Sequence, residues 1–121
     1  MKIDQFTQKS MAALETAQRL AQEYGNPEVD VLHLNKALLS DNEGLIPKVL
    51  NYMGVDPRDV ENAVDREINR LSRQTGADPR MSSAMNGVLT DALKEAKRLG
   101  DSYVSVEHLY LAMIKGDGVN N

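Results

Sequence analysis

Two histidines are the side chains of this sequence best suited to acid–base chemistry or metal binding. They are His33 and His108, and the chain contains no cysteine. A protein zinc site normally has three or four protein ligands, and neither histidine has a third or fourth candidate at a recognisable spacing. Each histidine follows closely after the start of a predicted helix, where a ring nitrogen can hydrogen-bond to the backbone. We therefore expect both to be structural, although either could tune binding near about pH 6.

The sequence carries no catalytic signature. It contains no G-x4-G-K-[ST] phosphate loop, so it lacks a backbone cradle for nucleotide phosphates. Ser82 and Ser83 have no base and acid partners at a recognisable spacing. The absence of cysteine excludes disulfides, thiol catalysis and cysteine–zinc sites. We expect the chain to have no enzymatic activity of its own and to bind neither a cofactor nor a metal.

Composition and charge narrow the class of partner. The chain has 121 residues, enough for one domain. Its 14 Lys and Arg residues against 18 Asp and Glu give a net charge of −4, which argues against a nucleic-acid footprint. No apolar stretch approaches the length of a membrane span, and the N-terminus lacks the apolar region of a signal peptide. We therefore predict a cytoplasmic protein with no membrane or nucleic-acid partner.

Composition and apolar spacing predict an all-α fold. Helix-forming residue types are abundant, aromatic residues make up only 4% of the chain, and β-branched residues form no alternating runs. In six segments, apolar residues recur every three or four positions, the spacing of a one-sided helix. The six predicted helices begin at or near Thr7, Asp30, Leu45, Asp56, Ser82 or Ser83, and Ser105, and Gly25, Gly54 and Gly100 end three of them.

An internal repeat is the most informative feature. When residues 14–37 are compared with residues 89–112 without gaps, nine of 24 positions are identical, whereas chance would give about two. The shared pattern is L-x2-A-x3-A-x3-G-x3-V-x-V-x-H-L-x2-A. It describes a long helix, a glycine turn and a short helix that returns to the core. Two such units, related by a pseudo-twofold axis, could bury one shared core.

The second unit is incomplete in this sequence. After His33 the first unit continues for 38 residues to Leu71, but only 13 residues follow His108. We predict one domain over residues 1–121, with a first repeat over 3–72, a connector over 73–81 and a truncated second repeat over 82–121. An uncovered half-core would be an aggregation hazard. This favours a chain cut from a longer protein over a second unit that something else covers.

These motifs resemble a known family. The opening FTQKSMAALETAQRLA, the V-x-H-L segment of the first unit and the stretch GDSYVSVEHL resemble the Clp repeat, the N-terminal domain of Clp-type AAA+ ATPases. The resemblance runs from Ile3 to the end of the chain and includes the double repeat. The start of the chain is most similar to the ClpB disaggregase branch, and GDSYVSVEHL would also suit the ClpC branch. The resemblance implies eight helices in two four-helix repeats, of which this chain would contain six.

The resemblance also implies a role. Such a domain is tethered above a hexameric ATPase ring and touches unfolded or aggregated polypeptides, or adaptor proteins, before they are threaded. ATP and Mg would then bind elsewhere in the parent protein. The isolated domain would be a monomer, and the parent would be a homohexamer.

Three polar residues match positions that the resemblance places on the partner-facing surface. They are Thr7, Asp101 and Glu107. Thr7 also suits a helix N-cap, and Glu107 lies in the first turn of a predicted helix, where its charge is favourable. The functional interpretation is that the two carboxylates engage cationic groups on a bound peptide or adaptor. For Thr7 the structural and functional interpretations are compatible.

Methionines are the apolar candidates for contact with a substrate or adaptor. Flexible methionine side chains suit surfaces that bind varied apolar peptides. Met11, Met53 and Met113 fall on the predicted core stripes, so we expect them to fill the core. Met81 and Met85 lie at the connector and at the start of the fifth helix, and we predict that they contact substrate or adaptor in the groove between the repeats.

Two alternatives to polypeptide capture stay open. In the ClpC branch, the resemblance implies that a glutamate before the histidine of each repeat takes part in phosphoarginine recognition. Here Glu107 fits this pattern but Leu32 does not, which favours the disaggregase branch over an adaptor-binding protease regulator of the ClpC or ClpA type. The other alternative is a structural module that gates the ring and touches no substrate.

Overall fold

The computed structural model describes residues 5–74, 76 and 78–116, and the predicted all-α fold is confirmed. The helices in this part of the chain are α1 (Gln8–Glu23), α2 (Val31–Ser40), α3 (Leu45–Tyr52), α4 (Pro57–Asn69), α5 (Ser83–Arg98) and α6 (Val106–Lys115). Two positions of the predicted connector, 75 and 77, and residues 117–121 of the predicted second repeat lie outside the described residues.

The helices begin at the capping residues that the sequence predicts. The Thr7 hydroxyl accepts a hydrogen bond from the Ser10 N–H at 3.1 Å, and the Ser82 hydroxyl accepts one from the Met85 N–H at 3.0 Å. The Asp56 carboxylate accepts from the backbone N–H of Arg58 at 2.9 Å. Each cap satisfies a backbone donor that would otherwise lack a partner and contributes about 1 kcal/mol. The caps therefore fix where the helices start.

The two units have matching elements. α1 and α5 are each 16 residues long, α2 and α6 are each 10 residues long, and equivalent residues stand 75 positions apart, the offset of the sequence repeat. Gly25 and Gly100, which follow α1 and α5, have φ angles of +71° and +76°. A residue with a Cβ is strained in this left-handed conformation, so glycine permits the same turn in both units.

Short parallel strand pairings, which the sequence did not predict, connect the units. Strand β1 (Glu28–Val29) pairs with strand β2 (Arg80–Met81) in parallel, so that Val29 lies opposite Met81. Phe6 forms an equivalent bridge with Val104. Because Met81 and Val104 stand 75 positions after Phe6 and Val29, each unit pairs its entry segment with the turn of the other. This exchange is the arrangement expected of a pseudo-twofold pair.

The core contains residues of all six helices and consists of small and larger apolar side chains. The small residues of the repeat pattern are fully or almost fully buried: Ala17, Ala21, Ala92 and Ala96. Larger buried side chains fill the space between them: Leu34, Leu38, Leu39, Ile68, Met85, Leu109 and Met113. These four alanines of the repeat pattern are thus core residues in both units.

In the first unit, α4 covers a face of α2 whose counterpart on α6 is exposed at Leu111. α4 packs on α2, where the Lys36 ammonium lies 2.6 Å from the Asp65 carboxylate and 3.2 Å from that of Glu61. Burial lowers the pKa of Lys36, but the hydrogen bonds to these carboxylates outweigh it and hold the pKa above its ordinary value. The residue equivalent to Lys36 on α6 is Leu111, which is 39% exposed.

Helix α3 corrects a prediction about the core. Met53, at its C-terminal end, was expected on the core stripe but is 66% exposed. Ile46 and Leu50 are buried, so the face that carries Leu45 and Val49 turns outward. The apolar residues of this short segment were too closely spaced to distinguish the inner face from the outer one.

Candidate recognition site

A groove lies where the N-terminal ends of α1, α3 and α6 meet, and we call it the central groove. Its volume is about 740 Å³. Its lining comes from both units: Thr7, Gln8, Lys9, Ala12, Ala13, Thr16, Ala37, Leu38, Asp41, Glu43, Gly44, Leu45, Ile46, Lys48, Ser105, Val106 and Glu107. The groove therefore offers apolar side chains together with charges of both signs.

A smaller cavity lies beside the start of α6, and we call it the α6 pocket. It has a volume of about 470 Å³ and is lined by Leu99, Asp101, Ser102, Tyr103, Ser105, Glu107, His108 and Leu111. Ser105 and Glu107 line both this pocket and the central groove. The two cavities consequently adjoin at the first turn of α6.

Thr7 lies at the central groove as a helix cap. Besides accepting from the Ser10 N–H, its hydroxyl donates to the Ser10 hydroxyl at 3.0 Å, and its own backbone N–H donates to the Val104 carbonyl at 3.0 Å. The Ser10 hydroxyl also lies 2.9 Å from the Val104 carbonyl. Thr7 thus fastens α1 to the second unit, and its side chain is only partly buried.

Asp101 and Glu107 come together in the α6 pocket. The Asp101 backbone N–H donates to the Ala96 carbonyl at 2.8 Å, which closes the turn after α5. The Asp101 side chain is 50% exposed, and Glu107 is exposed in the first turn of α6. The pocket therefore presents two carboxylates to solvent.

His108 connects Asp101 to the start of α6. The backbone N–H of Ser105 donates to His108 Nδ1 at 2.9 Å, so Nδ1 is an acceptor and the neutral ring carries its proton on Nε2. Nε2 lies 2.8 Å from the Asp101 carboxylate and donates to it. The predicted structural role of the histidine near a helix start is confirmed, and its link to Asp101 is new.

His33 forms the equivalent arrangement in the first unit with a neutral partner. The Asp30 N–H donates to Nδ1 at 2.9 Å, and Nε2 lies 2.8 Å from the side-chain oxygen of Asn26. Asn26 is 1% exposed, and its amide donates to the Ser72 carbonyl at 2.9 Å. Burial disfavours the charged ring and lowers the pKa of His33, despite the opposing charge of Asp30.

The Ser105, His108 and Asp101 side chains form a chain that resembles a hydrolytic triad. The Ser105 hydroxyl lies 3.0 Å from His108 Nδ1. However, Nδ1 already accepts the Ser105 backbone N–H, so its lone pair is not free to take a proton from the hydroxyl. The first unit builds the same helix start with Asp30 in place of the serine. This geometry is that of a capping box.

The two predicted methionine contacts lie outside both cavities. Met81 is 37% exposed on β2 and lines neither the central groove nor the α6 pocket. Met85 is 0% exposed, which corrects its predicted placement at an accessible groove. Met85 is the third residue of α5, and the Ser82 cap directs that turn into the core. Its side chain fills the core and is not available to a partner.

Sequence reasoning missed three apolar residues of the α6 pocket. Tyr103 is 57% exposed, Leu99 is 50% exposed and Leu111 is 39% exposed. The repeat contained a signal for two of them, because Tyr103 and Leu111 stand 75 positions after Glu28 and Lys36. At both positions the first unit carries a charged residue where the second unit exposes an apolar one.

Neither a metal cluster nor a membrane-spanning helix occurs in the part of the chain that the structure describes. Residues 5–74, 76 and 78–116 contain no group of three or more His, Cys, Asp or Glu side chains that could hold a metal ion. Over the same residues, no helix combines the length and the apolar character needed to cross a bilayer.

Solved structures share this fold. The N-terminal domain of Hsp104 from Candida albicans superimposes with a TM-score of 0.87 at 24% identity, covering 95% of this chain and 77% of that one. A complex of the ClpV N-domain with a VipB peptide superimposes with a TM-score of 0.80 at 25% identity, covering 93% of this chain and 69% of that one. These similarities confirm the predicted architecture.

Sequence comparison identifies the family. The chaperone protein ClpB of Nitratidesulfovibrio vulgaris is 38% identical over 120 residues, which is 95% of this chain and 14% of that protein. The predicted similarity to the ClpB branch is thus confirmed, although this chain spans only about a seventh of that relative's length. The model of the Clp repeat (R) N-terminal domain matches residues 5–120, and the chain therefore belongs to the family of Clp repeat N-terminal domains.

Proposed function

We propose that this domain captures exposed segments of unfolded or aggregated polypeptide for an ATP-dependent Clp chaperone. Binding would take place in the α6 pocket and the adjoining central groove. The preferred segments would combine apolar with basic side chains. The ATPase itself, with ATP and Mg, would belong to other parts of a cytoplasmic homohexameric parent protein, and six weak sites on one ring would bind with avidity.

The observation that carries this proposal is the composition of the α6 pocket. Asp101 and Glu107 lie beside three exposed apolar side chains, those of Leu99, Tyr103 and Leu111. Carboxylates attract lysine and arginine, an exposed tyrosine ring can stack on a cation, and the leucines can cover an apolar neighbour. A peptide with leucine next to arginine matches this combination.

Continuity with the central groove extends the site. Glu107 and Ser105 line both cavities, so a segment anchored in the α6 pocket can continue toward Leu45 and Ile46 at the start of α3. The ClpV N-domain, which shares this fold, has been solved in complex with a peptide. This supports peptide binding as a use of the fold, and it also supports the runner-up, recognition of a specific adaptor segment.

A titration with two matched peptides tests the proposal. The ¹⁵N-labelled chain is titrated with a peptide of alternating leucine and arginine, and separately with the same peptide carrying citrulline, the neutral isostere of arginine. We expect amide shifts around residues 99–111 and weaker binding of the citrulline peptide. The absence of shifts with either peptide would refute the proposal and favour a gating module that touches no substrate. Binding of a folded adaptor in the absence of peptide binding would favour the runner-up.

A further inference from the structure

We propose that His108 is a positioning residue for ligand binding, which holds the Asp101 carboxylate in the orientation that receives a cationic side chain. This inference rests on the proposed function of the α6 pocket. It assigns to His108 a role beyond the capping of α6.

The first step of the argument is that the ring of His108 has little freedom to reorient. His108 is 5% exposed, and Nδ1 is fixed by the Ser105 N–H at 2.9 Å. The same donor determines the tautomer, because a backbone N–H can only donate. Nε2–H therefore always points at the Asp101 carboxylate, 2.8 Å away.

The second step is that His108 constrains a side chain that would otherwise be mobile. Asp101 lies in the turn after α5, where Gly100 adopts a φ of +76° and the Asp101 backbone is tied to Ala96. These backbone contacts do not determine the side-chain rotamer. The hydrogen bond from His108 to Oδ2 holds it, while half of the side chain stays exposed to a ligand. A carboxylate that is already oriented loses less conformational entropy on binding.

The third step comes from the other unit. His33 holds Asn26 in the same way, but Asn26 is buried and its amide is used by the Ser72 carbonyl. Both units thus hold the histidine ring by the same two hydrogen bonds, whereas a charged and accessible acceptor for Nε2 occurs only in the second unit. A buried Nε2–H needs an acceptor in both units, but only in the second unit is that acceptor a charged side chain that a ligand can reach.

Two substitutions of His108 separate positioning from capping. In His108→Asn, the side-chain oxygen can replace Nδ1 as the acceptor for Ser105, but no donor reaches Asp101. In His108→Gln, the amide nitrogen can replace Nε2 as the donor to Asp101, but the acceptor for Ser105 is lost. Affinity for the leucine–arginine peptide and for its citrulline analogue is measured for both variants and for the wild type.

We expect His108→Asn to weaken binding of the arginine peptide by about two- to fivefold and to leave the citrulline peptide nearly unaffected. His108→Gln should restore much of the loss, although its helix start is the more disturbed. Equal weakening of both peptides in His108→Asn, or unchanged binding of the arginine peptide, would overturn the inference. If Asp101→Asn weakens arginine-peptide binding and His108→Asn does not, the proposed function of the α6 pocket is supported and the positioning role of His108 is refuted. If the wild type binds neither peptide, both fall.

A measurement on the wild-type chain keeps the inference testable if a variant does not fold. Long-range ¹H–¹⁵N spectra distinguish a histidine protonated at Nε2 from one protonated at Nδ1. The inference requires the Nε2–H form of His108 and a shift of its Nε2 resonance when the arginine peptide binds. A ring protonated at Nδ1, or an unchanged resonance in the saturated complex, would contradict it.

Discussion

The two histidines make the same pair of hydrogen bonds but differ in the residue that accepts from Nε2. His33 and His108 accept a backbone N–H at Nδ1 and donate from Nε2 over 2.8 Å in each unit. In the first unit the acceptor is Asn26, 1% exposed, whereas in the second it is Asp101, whose side chain is 50% exposed. The comparison indicates that the two hydrogen bonds of each histidine are structural, and that only the second unit places a charged and accessible side chain on its histidine.

The largest expected effect on stability comes from replacing the neutral partner of His33 with the charged residue type that His108 has. Asn26→Asp would place a carboxylate at a buried position, where it would face the Ser72 carbonyl that the amide now satisfies. We expect a loss of about 3 kcal/mol in the free energy of unfolding at pH 7, because the buried charge would face the Ser72 carbonyl and keep only the His33 Nε2–H as a donor. Urea denaturation measures it. A loss below about 0.5 kcal/mol, the range of ordinary surface substitutions, would show that the two sites are interchangeable.

A smaller effect is expected where α4 covers the first unit. Lys36→Met removes the cation that lies between Asp65 and Glu61. All three side chains are partly exposed, and solvent therefore screens the resulting repulsion, so we expect a loss of about 1–2 kcal/mol in the free energy of unfolding. The matched substitution in the second unit is Leu111→Lys, which should change stability by less than about 0.5 kcal/mol because Leu111 is 39% exposed. Thermal unfolding of both variants would show whether this ranking holds, and a reversed ranking would contradict it.

The third prediction concerns pH. Because burial lowers the pKa of His33 in the folded chain, the unfolded chain binds the proton first as the pH falls below the ordinary value of 6.5. The contribution of His33 to stability is therefore complete above that pH and decreases below it, until the folded-state pKa is reached. The free energy of unfolding, measured between about pH 7.5 and 5, should fall less steeply in His33→Gln than in the wild type. Identical slopes would exclude His33 as a source of acid sensitivity.

The sequence was sufficient to predict the helices because their signals are local. Thr7, Asp56 and Ser82 cap the helices that their positions predict, and the 75-residue repeat correctly implied two matching helix pairs. The pairing of β1 with β2 could not be predicted, because two-residue strands have no periodic pattern. Nor could the burial of Met85, since it depends on how the first turn of α5 meets the core.

The candidate site was less predictable than the fold. Thr7, Asp101 and Glu107 were selected through the resemblance and do line the two cavities, but their function stays a prediction. The bond between Asp101 and His108 spans seven positions across a turn and into the next helix. Sequence spacing alone does not specify such a contact, because it depends on the angle between the turn and α6.

The smallest expected effect on stability comes from replacing Asp101, the partner of His108, with the asparagine that His33 has. Asp101→Asn reproduces in the second unit the His–Asn pair that the first unit already contains. The His108 Nε2–H still has an oxygen to donate to, so we expect the free energy of unfolding to change by less than about 0.5 kcal/mol. A large loss in urea denaturation would show that the carboxylate stabilises the fold, which would weaken the case for a binding role.

The most direct test of the account is a double-mutant cycle between Asp101 and the charge of the peptide. The wild type and Asp101→Asn are each titrated with the leucine–arginine peptide and its citrulline analogue, with Asp91→Asn as a control at an exposed carboxylate that lines neither cavity. We predict a coupling of about 0.5–1 kcal/mol, the range of a solvent-accessible ion pair, for Asp101 and none for Asp91. A coupling of zero at Asp101, or an equal coupling at Asp91, would contradict the claim that the second unit presents a specific site for cationic segments.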